Sequence, residues 1–342
     1  MKRLAPIPDQ YLKRHEQLYY APILNALELL VNGECLGVPS QPQCAISLFS
    51  KQFPADPDIV SIFRKVKTLF VQQNLLTASA DTLCHIVDNW HLSRREQRVK
   101  KVAYKVLRDV FDYSNFREGN ALVIRNRRLY WETTNDFWGG FELLQYLSQA
   151  IKYCPYCNAD TVYAFEKGNK TKVASALDHF YPKSKYPFLA LSLYNLVPVC
   201  SRCNTQMKGS ADMKDVANPY IEDVHRNIVF FPVISSTSPC LDGSCRIVVL
   251  SRKGCTPKAI EFVRRFELEC LYSSAFAGDA LLCLERLRRF TPKFRQYLAA
   301  VIDTDDPRLV ESLFLGMPLN ENEINKTRLG KMTLDLVERF HL

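Results

Sequence analysis

The runs CPYC at 154–157 and CSRC at 200–203 place two C-x-x-C pairs 42 residues apart. Four thiolates at about 2.3 Å around a tetrahedral zinc would clamp the ends of that insert together. The competing reading is two unrelated cysteine pairs buried in a core. A zinc held by four cysteines has no open coordination position, so it is structural, and chemistry must come from what it holds in place. Between the pairs stand the adjacent residues Asp178 and His179, and just after them Asn204 and Lys208. Hydrolysis of a phosphodiester needs a deprotonated water and a means of absorbing charge on the phosphate. An imidazole suits the first task near neutral pH. A hard divalent cation suits the second, and it prefers oxygen ligands such as the Asp178 carboxylate and the Asn204 amide. Lys208, Lys183 and Lys185 are the nearby cations that could meet backbone phosphates.

These residues must be positioned by short elements. Asp178 and His179 close a β-like run, and successive side chains of a regular strand point to opposite faces. Both serve one site only if the strand ends or bulges there, and the Tyr181-Pro182 step downstream fits an ending. A helix starting at the second cysteine pair would put Asn204 in its first turn and Lys208 four residues on, along one face. Its N-terminus would favour an anion. Further strands are expected at Thr161–Phe165 and Lys172–Leu177, joined by a turn around Gly168, and at Asn227–Val233 and Arg246–Leu250.

Taken together, Asp178-His179, Asn195 within YNLVPVC, and Cys203-Asn204 with Lys208 resemble the HNH endonucleases, in the branch with two zinc knuckles. The resemblance covers about 154–209. It implies a β-hairpin and helix around one divalent ion, with His179 as general base. It implies that Asp178 and Asn204 hold the catalytic ion, magnesium or else manganese, and that Asn195 orients the histidine and tethers the loop. Cleavage would leave a 5′-phosphate and a 3′-hydroxyl. One departure is that the third signature position is Asn204 rather than histidine, which keeps an oxygen ligand but can alter metal preference. A weaker likeness through Asn218-Pro219-Tyr220 to about Tyr272 is similar to the PtuB-like nucleases of bacterial anti-phage systems (Septu and some retrons). That likeness implies an ATPase partner subunit. No P-loop of the form G-x-x-x-x-G-K-[ST] occurs in this sequence, so nucleotide chemistry would belong to the partner.

The flanks read as helical. Pro22, a favoured first-turn residue, suggests a helix start, and Gly33 its stop. Ser93 with Glu96 three residues on is a capping-box signature. Beyond it Val99, Val102, Ala103, Val106, Val110 and Phe111 share one face. The rest of that helix carries Arg94, Arg95, Arg98, Lys100, Lys101, Lys105 and Arg108, either a solvated outer face or a phosphate-tracking one. Arg125, Arg127 and Arg128 near Tyr130 and Trp131 are open to the same two readings. From Pro257 the chain returns to helix through IEFVRRFELECLYSSAF and two or three more segments.

The expected architecture is α+β: a helical domain over 1–146, a ββα-metal nuclease domain with a β extension over 147–256, and a helical region over 257–342. With 47% hydrophobic residues the chain can fill real cores, and no window is apolar enough to span a membrane. The start, MKRLAPIPDQYLKRHE, lacks the apolar run of a secretory signal, so a cytoplasmic protein is expected. Its +9 charge permits anionic partners, DNA more readily than RNA on family grounds. The other eight cysteines, Cys35, Cys44, Cys84, Cys240, Cys245, Cys255, Cys270 and Cys283, read as core filling. His15, His85, His91, His225 and His341 lack the framing of His179 and read as surface or core residues. The rival functional reading is a zinc-stapled nucleic-acid-binding module with a vestigial HNH site.

Overall fold

A computed structural model describes residues 1–33, 56–125, 128–133, 138–167, 170–173, 175–234 and 245–340. Side chains at 128 and 165–173 also lie outside the description. Cys35, Cys44, Cys240, Arg127, His341 and the Gly168 turn therefore fall outside the described residues, as does the Arg128 side chain.

The amino-terminal stretch is built of α1 (Asp9–Val31), α2 (Pro57–Gln73), α3 (Ala80–Asn89), α4 (Arg94–Val110) and the short α5 (Tyr113–Arg117). Helix α1 begins 13 residues before Pro22 and carries it inside, so Pro22 does not mark a start. Proline lacks the N–H that would reach the Leu18 carbonyl, a local cost. Burial of Tyr19, Ile23, Ala26, Leu27 and Leu30 on both sides of it offsets that cost. The expected end holds, since Asn32 caps the helix and Gly33 turns away at φ 72°. Ser93 starts α4 with a full capping box: its side chain accepts from the Glu96 N–H, and Glu96 accepts from the Ser93 N–H at 2.7 Å. Ser61 and Lys65 of α2 complete the Glu96 shell at 2.8 and 2.7 Å, so the cap also fastens α4 to α2.

A hairpin follows, β1 (Asn120–Arg125) with β2 (Arg128–Thr133), then α6 (Gly140–Ala150). In the hairpin Arg125 pairs with Glu132 across the strands at 2.8 Å. The next strands are β3 (Ala164–Lys167) and β4 (Lys170–Val173), paired with each other, and β5 (Ser175–His179), paired antiparallel with β6 (Leu196–Cys200). The single strand expected at Lys172–Leu177 is thus divided between two hairpins. After the short α7 (Val224–Asn227) come the two further strands anticipated, β7 (Ile228–Ile234) and β8 (Cys245–Ser251), which pair antiparallel.

Helices α8 (Pro257–Arg265), α9 (Leu268–Ala275), α10 (Ala277–Arg289), α11 (Pro292–Ile302), α12 (Pro307–Leu315) and α13 (Gly330–Phe340) close the chain. The helix expected through 257–276 breaks at Glu267, whose φ of 46° no α-helix tolerates. Buried side chains from Met1 to Val337 form one contiguous apolar cluster that takes in all four cysteines of the knuckles. No helix among the described residues is long and apolar enough to cross a membrane.

Candidate functional site

The two knuckles come together. The Sγ atoms of Cys154, Cys157, Cys200 and Cys203 all lie within 4.8 Å of one another, buried, and Cys157 and Cys200 are 4.0 Å apart. A tetrahedron with ~2.3 Å arms has edges near ~3.8 Å, so the set fits a zinc ion. The neighbouring thiols hold Cys157 well below the ordinary thiol range. Burial, and then Cys157 and Cys200, push Cys154 up against the pull of Cys203, and bonds to the other three push Cys203 up. Four buried thiols in contact favour one shared anion, and a dication among them would release the remaining protons. The Cys203 N–H points at the Cys200 sulfur at 3.5 Å. Arg202, paired with Asp160 at 2.9 Å, adds positive charge beside the sulfurs.

From this cluster the β5–β6 pair runs to the second group of residues. Ser175 lies opposite Cys200 at one end and His179 opposite Leu196 at the other, four residues or ~14 Å away. The strand stops at His179, the ending that a site shared by Asp178 and His179 would need. The His179 Nε2 lies 3.0 Å from the Ala190 carbonyl. Taking Nε2 as the donor leaves the lone pair on Nδ1. Burial, and then the charge of Lys183, push the imidazole down to about 3, so it is neutral at physiological pH. The Asn195 side chain hydrogen-bonds to loop backbone and not to the imidazole. It accepts from the Tyr181 N–H at 2.7 Å and donates to the carbonyls of Tyr181 and Leu189 at 3.1 and 2.9 Å. It therefore ties the loop whose Ala190 carbonyl holds the ring.

Asp178 is buried, its carboxyl pushed up by desolvation against the opposing pull of Lys208. Oδ1 accepts from Lys208 Nζ at 2.8 Å and Oδ2 from the Tyr156 hydroxyl at 2.8 Å. Lys208 also donates to the His179 carbonyl at 2.7 Å and is almost wholly buried. Lys208, expected to meet phosphate, here turns inward to a buried carboxylate. The helix expected at the second cysteine pair is present, in π rather than α geometry. Arg202–Lys208 is a π-type turn of seven residues, closed by the Gly209 N–H on the Asn204 carbonyl, with Gly209 at φ 54°. So short a segment supplies little dipole for an anion. Asn204 is half-buried one turn before Lys208 on this segment.

Lys185 is exposed and paired with Asp212 at 3.1 Å. Lys183 sits 5.2 Å over the Tyr113 ring, which meets the His179 ring edge-on at 4.4 Å. Tyr113 and Tyr156 were not found by sequence reasoning. Tyr156 had a signal, a hydroxyl inside the first knuckle, whereas Tyr113 lies 66 residues from His179 with no pattern to link them. The weaker stretch after 218 contributes packing to the same region. The Tyr220 hydroxyl donates to the Leu196 carbonyl at 2.9 Å, and the Tyr272 hydroxyl to the Cys157 carbonyl at 2.7 Å.

The class defined by this geometry is an α+β protein with a four-cysteine cluster that fits a zinc ion and a polar group mounted on the hairpin above it. Within the chain, 100 residues are 30% identical to the Septu protein PtuB of Bacillus thuringiensis. The match takes in 28% of this chain and 36% of that protein, so it spans about a third of the relative's length. No family profile and no solved structure matches the chain.

Proposed function

We propose that the protein is an HNH-type endonuclease that hydrolyses phosphodiester bonds in DNA or RNA. The observation that carries this reading is a neutral imidazole at the end of β5 beside a buried carboxylate, on the strand pair that leads to the four-cysteine cluster. His179 takes a proton from the attacking water on Nδ1, with the Ala190 carbonyl fixing its tautomer. Asn195 keeps that carbonyl in place through the loop. Asp178 and Asn204 would hold a magnesium ion, whose chemistry is to neutralise charge on the phosphate. Each Asp178 oxygen keeps acceptor capacity beside its present bond, and the Lys208 ammonium already sits where the carboxylate draws a cation. The similarity to the Septu protein PtuB supports a defence-related role; an ATPase partner subunit is part of the proposal and rests on the family resemblance alone.

Purified protein is incubated with supercoiled DNA, linear DNA and total RNA, with and without magnesium. Magnesium-dependent cutting is expected, and His179→Ala should reduce it at least about a hundredfold while folding and zinc content stay intact. An unchanged rate in that variant removes the assignment.

A second reading has an observation of its own: both Asp178 oxygens are already engaged, by Tyr156 and Lys208. It takes the protein as a zinc-stapled nucleic-acid-binding module, and it predicts binding with no cutting on any of the three substrates.

A further inference from the structure

Helix α4 shows a pattern that the catalytic reading does not use. Arg94, Arg98, Lys101, Lys105 and Arg108 are all exposed. They are spaced by four, three, four and three residues, which at 3.6 residues per turn draws one straight stripe about 21 Å long. The opposite face, with Ala103, Val106, Leu107 and Val110, is buried. None of the five stripe residues has an acidic partner among the described residues. Of the two acids in α4, Glu96 is buried against Ser61 and Lys65, and Asp109 is half-buried in the last turn.

A face selected only for solubility gains from alternating signs, because like charges at i,i+3 and i,i+4 repel. This face carries four such repulsive steps in a row, so the helix bears a cost that an anionic partner would remove. The stripe also has a direction. Its last residue, Arg108, lies near enough to act on Lys183, as do Asp112, with the opposite sign and more strongly, and Arg117. Lys183 stands over Tyr113, and Tyr113 meets His179. At ~3.4 Å of rise per nucleotide of a strand, the stripe matches about six steps of a phosphate backbone.

We infer that the exposed basic stripe of α4 is a phosphate track, which binds the sugar-phosphate backbone of a nucleic acid and leads it past Lys183 to His179. The end point of the track rests on the nuclease reading above. Binding along it does not, and is measured without cutting.

The full chain is titrated, by fluorescence anisotropy in chelator, with 30-nucleotide probes of duplex DNA, single-stranded DNA and RNA. The track variant is R98Q/K101Q/K105Q. The control is R246Q/K253Q/K293Q, which removes the same charge from exposed positions away from α4. On the tightest probe the track variant should bind at least about tenfold more weakly at ~100 mM salt. Its plot of log affinity against log salt should flatten by about 2 to 3, since each lost phosphate contact removes ~0.7–0.9 of slope. The control should stay near wild type. Equal losses in both variants, no loss in the track variant, or no binding by wild type would each overturn the track. Wild type that binds through the stripe yet never cuts keeps the track and removes the nuclease reading. Cutting that is indifferent to the track variant does the reverse.

Discussion

A carboxylate and an ammonium buried together explain more of the candidate site than any single catalytic label. The Asp178–Lys208 pair is out of water, and it is completed by Tyr156 and the His179 carbonyl. Removing one member leaves the other charge unpaired in the interior. Lys208→Met should cost roughly 3–5 kcal/mol in urea unfolding, and adding Asp178→Asn should recover much of it. His15 makes a second argument at this scale. Its Nε2 contacts the Leu191 carbonyl at 2.8 Å while Trp138 donates to Nδ1 at 3.2 Å, so both nitrogens are used by the neutral ring. Burial, opposed by that carbonyl, brings its pKa down to about 4. The unfolded ring, near ~6.5, binds a proton that the folded ring refuses. Stability from His15 is therefore complete above pH ~6.5 and is lost as pH falls toward 4, by about 3 kcal/mol in all. Unfolding free energies measured from pH 7 to pH 4.5 should slope less steeply in His15→Gln than in wild type, whatever the variant's absolute stability. The four knuckle cysteines were legible in the sequence because their spacing is a geometric statement. The inward turn of Lys208 was not, because nothing local records that Asp178 lies beneath it.

Among the elements, local chemistry was readable where it is self-contained. The Ser93–Glu96 box is such a case, and Ser93→Ala should cost about 1 kcal/mol, read as a lower urea midpoint with an unchanged slope. Strands β7 and β8 were likewise visible in their apolar runs, though not their pairing. Pro22 misled because tertiary burial outweighs one lost hydrogen bond. The break at Glu267 and the π turn at Arg202–Lys208 could not be read from periodicity, since each is imposed by neighbours. In the first, Phe266 stacks on Tyr156 while Phe262 meets the same ring edge-on; in the second, Cys203 and Lys208 face inward together.

For the whole molecule the four-cysteine cluster, which fits a zinc ion, is the organising feature. One zinc per chain is expected by elemental analysis. Stripping it with a chelator should lower the melting temperature by roughly 10 °C or more, with Cys154→Ser behaving as the stripped protein does. Local sequence patterns had shown the cysteine quartet but not what packs around it, because those contacts join residues more than a hundred positions apart. Asn158, one residue past the first knuckle, illustrates this. Its backbone carbonyl accepts from the Leu329 N–H, its Oδ1 from the Lys331 N–H, and its Nδ2 donates to the Ile324 and Thr327 carbonyls.

That clasp sets a practical limit on miniaturising the protein. An excised central piece ending near residue 256 would keep every sulfur and the histidine, yet Asn158 would lose each of these partners at once, and Cys157 the phenol of Tyr272. Anyone seeking a smaller tool from this scaffold must trim the surface rather than the tail.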